Sequence, residues 1–98
     1  MGICHSNIDS IVDKNKRCFI CGTTQFLEVH HIMAGANRDK STKYKLVVYL
    51  CSDCHRNGKN AAHRNRVTDL MLKEAGQRAF EREYPELDFL KIFHRNYL

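Results

Sequence analysis

Ninety-eight residues, 43% hydrophobic and 28% charged, suffice for one globular domain and argue against a disordered chain. No apolar run approaches the roughly 18 residues that span a bilayer, and Met1-Gly-Ile-Cys-His5 lacks the charged start and apolar core of a secretory signal. No membrane association is expected, and a reducing cytoplasm is the expected setting. The net charge of +5 is unevenly placed: between Lys14 and Arg66 eleven Lys/Arg face three acids, whereas residues 67–98 carry five bases and six acids. The basic segment has the electrostatic footprint of a surface for a polyanion such as nucleic acid.

Residues 1–13 are weakly patterned; Ile8, Ile11 and Val12 fit a short helix or an edge strand. Lys14-Asn-Lys-Arg17 then leads into Cys18-Phe-Ile-Cys21-Gly22, a zinc knuckle. Gly22 permits a left-handed turn, so that backbone amides can point at the thiolate sulfurs. Phe26 to Ile32 reads as the first strand, from its β-branched and aromatic content. Residues 33–43 read as a polar, base-rich loop, and Tyr44 to Leu50 as the second strand. The two strands are expected to pair as a hairpin with a long connection, a length of loop that is usually functional or mobile.

Cys51-Ser-Asp-Cys54-His55 follows without a break. Ser52 and Asp53 are good helix-capping types, so a helix is expected to start here, be interrupted at Asn57-Gly58 and resume over residues 60–66. From Val67 to Tyr84 the pattern is helical, with Val67, Leu70, Met71, Ala75, Ala79 and Phe80 recurring at steps of three or four, until Pro85 ends it. Glu86 to Phe93 reads as a last helical turn or two with Leu87, Leu90 and Phe93 on one side, and Tyr97-Leu98 as a docked tail. Met71 and the phenylalanines are assigned to the core. The whole is a single α+β domain, with a core over about residues 17–66 and a helical part over about 67–98.

Five cysteines are present, and four of them form two Cys-x-x-Cys pairs with 29 residues between. Without an export signal, metal binding is a better reading than disulfides. Cys18, Cys21, Cys51 and Cys54 suit a tetrahedral Zn²⁺ site whose four positions are filled by sulfur. Such an ion has no open position, so it is structural and any chemistry lies elsewhere. Cys4 is left as a spare thiol.

That chemistry points to the histidines. His30 and His31 are adjacent on a strand, where alternate residues face opposite sides. They share one site only if the strand end twists or the next loop folds over. His63 lies eight residues past His55, roughly 12 Å along an unbroken helix. It can join His55 as a metal ligand only if Asn57-Gly58 bends the chain back; otherwise it is placed to contact phosphate. His5 and His94 are left as surface residues.

Cys18-Phe-Ile-Cys21, Val29-His30-His31-Ile32 and Leu50-Cys51-Ser-Asp-Cys54-His55 together resemble the HNH endonuclease family. The longer runs, His30 to Arg38, Lys43 to Cys51, Ala62-His63 and the closing Phe93-His-Arg-Asn-Tyr-Leu98, look like a group of small phage- and prophage-encoded members. The resemblance implies a ββα-metal (His-Me finger) core with a zinc knuckle and C-terminal helices. It implies that His31 is the general base that activates water. It also implies that His30 and His55 bind one catalytic divalent ion, such as Mg²⁺, Mn²⁺ or Ni²⁺, with 5′-phosphate and 3′-hydroxyl products. The family's middle Asn falls nine residues before the helix His, which here is Leu46; Asn37, in the long loop, is the candidate substitute for orienting His31.

The expected function is therefore metal-dependent hydrolysis of DNA phosphodiester bonds, with little sequence information, in a bacterial host cell. Expected partners are DNA and, beyond it, a second copy of the chain or other phage DNA-processing proteins. A non-catalytic zinc-dependent nucleic-acid-binding module is the alternative; it accounts for the cysteines and bases but not for the paired histidines. A thiol oxidoreductase is a third reading.

Overall fold

Leu-Glu-Val-His-His forms strand β1 (Leu27–His31), and Val-Val-Tyr-Leu-Cys forms strand β2 (Val47–Cys51), in a computed structural model that describes residues 9–98. The strands pair antiparallel, with Leu27 opposite Cys51 and His31 opposite Val47. Both expected strands are present, each shifted slightly; β2 starts three residues later than expected because Lys45 adopts a left-handed φ of 63°. Ser10 to Asp13 form neither helix nor strand, and Ile11 N–H is held by Lys45 O at 3.0 Å. Cys4 and His5, with the reading of Ile8, lie outside the described residues.

The connection between the strands is not the irregular loop expected. It contains a 3₁₀ turn (Gly35–Asn37) that runs into a short helix, α1 (Arg38–Lys43). Ser41 accounts for this order. Buried at its centre, Ser41 Oγ accepts from Met33 N–H at 3.2 Å and donates to Leu46 O at 2.6 Å, tying the exit of β1 to the approach to β2.

After β2 the expected helix is reduced to one π-helical turn, Asp53–Asn57. Gly58 N–H closes it on Asp53 O at 2.8 Å. A Cβ on Gly58 would stand 2.5 Å from that oxygen, so only glycine fits. Residues 60–65 do not resume a helix. They fold back on the turn instead, with Ala62 N–H on Cys54 O and His63 N–H on His55 O.

Helix α2 (Arg66–Glu83) is close to the expected span. Asn65 caps it, its side-chain oxygen accepting from Val67 N–H and Thr68 N–H. The buried stripe differs from the expected one. Leu72, Gly76, Ala79 and Phe80 face inward, while Val67 is 76% exposed and Met71 48%. The close crossing at Gly76 sets this rotation: a Cβ there would meet Ile32 Cγ2 at 3.2 Å. Phe80 is fully buried between the rings of Tyr44, Phe89 and Phe93, a burial worth roughly 2–3 kcal/mol.

Helix α3 (Phe89–Phe93), capped by Asp88, buries Phe93 as expected but together with Phe89, while Leu87 and Leu90 are exposed. The tail docks through Gln77, whose Oε1 accepts from Tyr97 N–H at 2.7 Å, although Leu98 is exposed. Among the phenylalanines Phe26 is not core: it is 78% exposed. No described helix is long and apolar enough to cross a membrane.

Candidate metal centres and active site

The hairpin and the π-helical turn bring the two Cys-x-x-Cys pairs together. One sulfur from each of Cys18, Cys21, Cys51 and Cys54 lies within 4.8 Å of the others. Cys21 Sγ and Cys51 Sγ are 3.7 Å apart, against about 3.8 Å for two sulfurs each ~2.3 Å from a tetrahedral Zn²⁺. Cys21 N–H and Cys54 N–H point at Cys18 Sγ and Cys51 Sγ, both at 3.4 Å.

The thiols ionise unequally. Burial acts to raise the Cys18 pKa, but backbone donors at Cys21, Cys51 and Ile20 outweigh it and bring the group down to about 6. Burial, followed by the neighbouring Cys51 and Cys18 sulfurs, pushes Cys54 far up. A site that resists a second thiolate is one that a dication relieves. The four cysteines are placed to bind a metal such as zinc.

A second cluster lies one residue further along the chain. Ring nitrogens of His30, His55 and His63 also lie within 4.8 Å of one another. The centroid separations are 5.2 Å (His30–His55), 5.4 Å (His30–His63) and 4.7 Å (His55–His63). His55 Nε2 and His63 Nε2 are 3.1 Å apart, which fits two ligands of one ion at ~2.1 Å each. The Asn57-Gly58 break does return His63 to His55, through the backbone contact described above.

Two further observations fit a metal. His30 Nε2 is buried with no hydrogen-bond partner, a condition that native interiors rarely tolerate. His55 Nδ1 is 2.6 Å from Glu28 Oε1. A carboxylate only accepts, so Nδ1 carries the proton and Nε2 turns its lone pair to the cluster. Burial, then the neighbouring His55, His63, His31 and Lys73, lowers the His30 pKa to about 3, keeping the imidazole neutral. His63 is lowered too, by burial first and then by His55 and Arg56.

His30 and His31 leave the strand on opposite sides, yet both line one cavity of about 190 Å³ together with Ala34, Arg38, His55, Arg56 and His63. The chain bends at Ile32 and Met33, so that Ala34 and Arg38 close over the strand end. Burial and then Arg38 lower the His31 pKa. The pocket thus joins three imidazoles, a fourth kept neutral, and two guanidinium groups.

Asn37 is not near this constellation through its side chain; its Nδ2 donates to Phe93 O at 3.2 Å, beside Lys40 Nζ on Ile92 O at 2.6 Å. Leu46, at the family's Asn position, is fully buried, and the cross-loop bracing falls to Ser41. Glu28, Ser41, Arg38 and Arg56 are residues the sequence reading did not single out. For Glu28 a signal existed: it is two residues before His30, and so on the same strand face.

No curated protein and no solved structure matches the chain significantly. The family model for HNH endonuclease matches residues 18–61, from the first knuckle cysteine to just past the π-helical turn. Over that segment, which also carries the four cysteines set to bind a metal, the chain is similar to HNH endonucleases.

Proposed function

We propose that the protein is a metal-dependent endonuclease that hydrolyses DNA phosphodiester bonds. The observation that carries the reading is the convergence of His30, His55 and His63 in one basic-lined cavity with His31, three of these four histidines lying inside the segment that matches the family and His63 just beyond it. The four cysteines hold a structural zinc; the strands and the following turn form the ββα-metal core, with the helical part of the ββα unit shortened to a single π turn. A divalent ion held by His30, His55 and His63 would offset the charge that builds on the phosphate and the leaving oxygen.

His31 has the chemistry of the base. A neutral imidazole can accept a proton from water near pH 7, and burial and Arg38 both favour its neutral form. Arg38 and Arg56 flank the cavity, where guanidinium groups can grip phosphate oxygens through paired N–H donors. Glu28 fixes the ring of His55. One hairpin and one turn offer little surface for reading base edges, so the cutting is sequence-tolerant.

The test is nicking of supercoiled plasmid by the parent and by His31→Ala, across Mg²⁺, Mn²⁺, Ni²⁺ and Zn²⁺. The parent should nick with at least one ion, and the variant should lose ~10²-fold or more of the rate with zinc content and fold unchanged. Nicking by the variant at the parent rate removes His31 from the base role. DNA binding by the parent without cutting under any ion selects the non-catalytic binding module.

A further inference from the structure

A further cleft opens at the sulfur cluster itself, lined by Cys21, Cys51 and Cys54 of the cluster together with Gln25, Phe26 and Asp53. Phe26 forms one wall and is the most exposed large apolar side chain among the described residues. Its backbone is left-handed, with φ 55°, a conformation a bulky L-residue adopts only under strain. The strain has a backbone use: Phe26 O accepts from Ser52 N–H at 3.0 Å, which starts the strand pairing. Glycine would make that bond without strain, so the fold does not call for the ring. Strain kept at an exposed aromatic is the mark of a functional position.

The lining supplies what a heterocycle needs. Gln25 and Asp53 both line the opening, and among the described residues neither side chain has a hydrogen-bond partner. One offers both a donor and an acceptor, the other acceptors. The cleft and the histidine pocket are lined from the same π-helical turn, the first by Asp53 and the second by His55. From Phe26 to His30 is four residues, at most about 13 Å of extended chain. One short single strand can reach both.

We propose that this cleft takes an unpaired nucleobase of the substrate strand, stacked on Phe26, while the phosphate to be cut lies in the histidine pocket. The inference rests on the nuclease reading for its substrate. Stacking is sequence-tolerant, since every base has a π-face, and it favours single-stranded or locally opened DNA over an intact duplex.

The test is Phe26→Gly, with binding of fluorescent single-stranded and blunt duplex oligonucleotides measured by anisotropy, zinc retained and no second metal added. Glycine relieves the left-handed strain, so the variant should melt no lower than the parent. Its affinity for the single strand should fall about tenfold and for the duplex little, and Phe26→Trp should restore the single-strand affinity. Equal single-strand affinity of parent and Phe26→Gly overturns the stacking role and leaves the nuclease reading standing. Phe26-dependent binding by a parent that cuts with no ion overturns the nuclease reading and leaves the stacking role. A parent that binds no DNA overturns both, and a variant that melts well below the parent overturns the claim that the ring is not structural.

Discussion

Glu28 Oε1 and His55 Nδ1 are 2.6 Å apart across the face of the hairpin, joining the middle of the first strand to the turn after the second. The contact decides which nitrogen of His55 is left for a metal. Glu28→Gln keeps the shape but replaces a charge-assisted bond with a neutral one, and removal of such an outer partner typically costs 10–100-fold in metal affinity. Titration of Mn²⁺ or Ni²⁺ into the variant should show a loss of that size at the histidine site. The fold should be intact, because the Glu28 side chain is itself partly exposed. Unchanged affinity would show that Glu28 does not hold the ring.

Gly58→Ala places a methyl group against Asp53 O, 2.5 Å away. Backbone must shift there, and the shift falls on the segment that carries His63 back to His55. The expected outcome is a destabilisation of about 1–3 kcal/mol. Affinity at the histidine site should weaken, while zinc remains at one per chain. Denaturant melts and metal analysis read these separately; parent-like values in both would mean that the turn tolerates a side chain.

Zinc removal acts on the whole fold, because Cys18–Cys21 and Cys51–Cys54 staple a strand entry to a strand exit. Cys51→Ser should release the ion and unfold the domain or lower its melting temperature sharply. Zinc binding should release protons at pH 7, given that the Cys54 thiol is held protonated. A melt unaffected by the substitution would refute a structural role for the ion.

The buried imidazole of His30 makes the protein sensitive to mild acid when its histidine site is unfilled. Its folded pKa of about 3 lies below the unfolded value of 6.5, so the unfolded chain binds the extra proton first. Stability is therefore complete above pH 6.5 and falls as the pH drops toward 3, on the order of 1 kcal/mol per pH unit for this group. The lowered His31 and His63 act in the same direction. Urea midpoints between pH 6.5 and 5, above most carboxylate titration, should decline for the parent and decline less for His30→Gln. Parallel declines would assign the effect to other groups.

Two residues compete for the task that the family gives to its middle Asn. Ser41→Ala removes both bonds that brace the loop behind His31, leaving Met33 N–H and one lone pair of Leu46 O without this partner, at a cost of about 1–3 kcal/mol. It should slow nicking more than Asn37→Ala, which frees only a bond to α3. The reverse order in a plasmid assay would return the role to Asn37.

Much of the site was legible because it is written in residue types that have few other uses. Paired cysteines and adjacent histidines declare themselves at short range. The return of His63 was legible only as a condition, since it depends on how closely Gly58 backs onto Asp53 O, a contact no periodicity records. Glu28 looked like an ordinary strand acid; only the register of β1 against the following turn shows its partner. In the helices the extents were readable and the faces only in part. Ala79 and Phe80 are buried as the helical step implies, but Val67 and Met71 fit that step equally well and are exposed, and the crossing at Gly76 chose between them. Phe26 defeated the rule that aromatics fill cores, for a reason that lies in its backbone.

Cys54 and His55 are neighbours in one five-residue turn, so an ion on the sulfurs and an ion on the imidazoles would share a lever arm. By reciprocity, whatever the first ion adds to the grip on the second, the second adds to the grip on the first. Oxidising the thiols would then weaken the histidine site without touching any of its imidazoles, and a well-filled histidine pocket would in turn slow that oxidation.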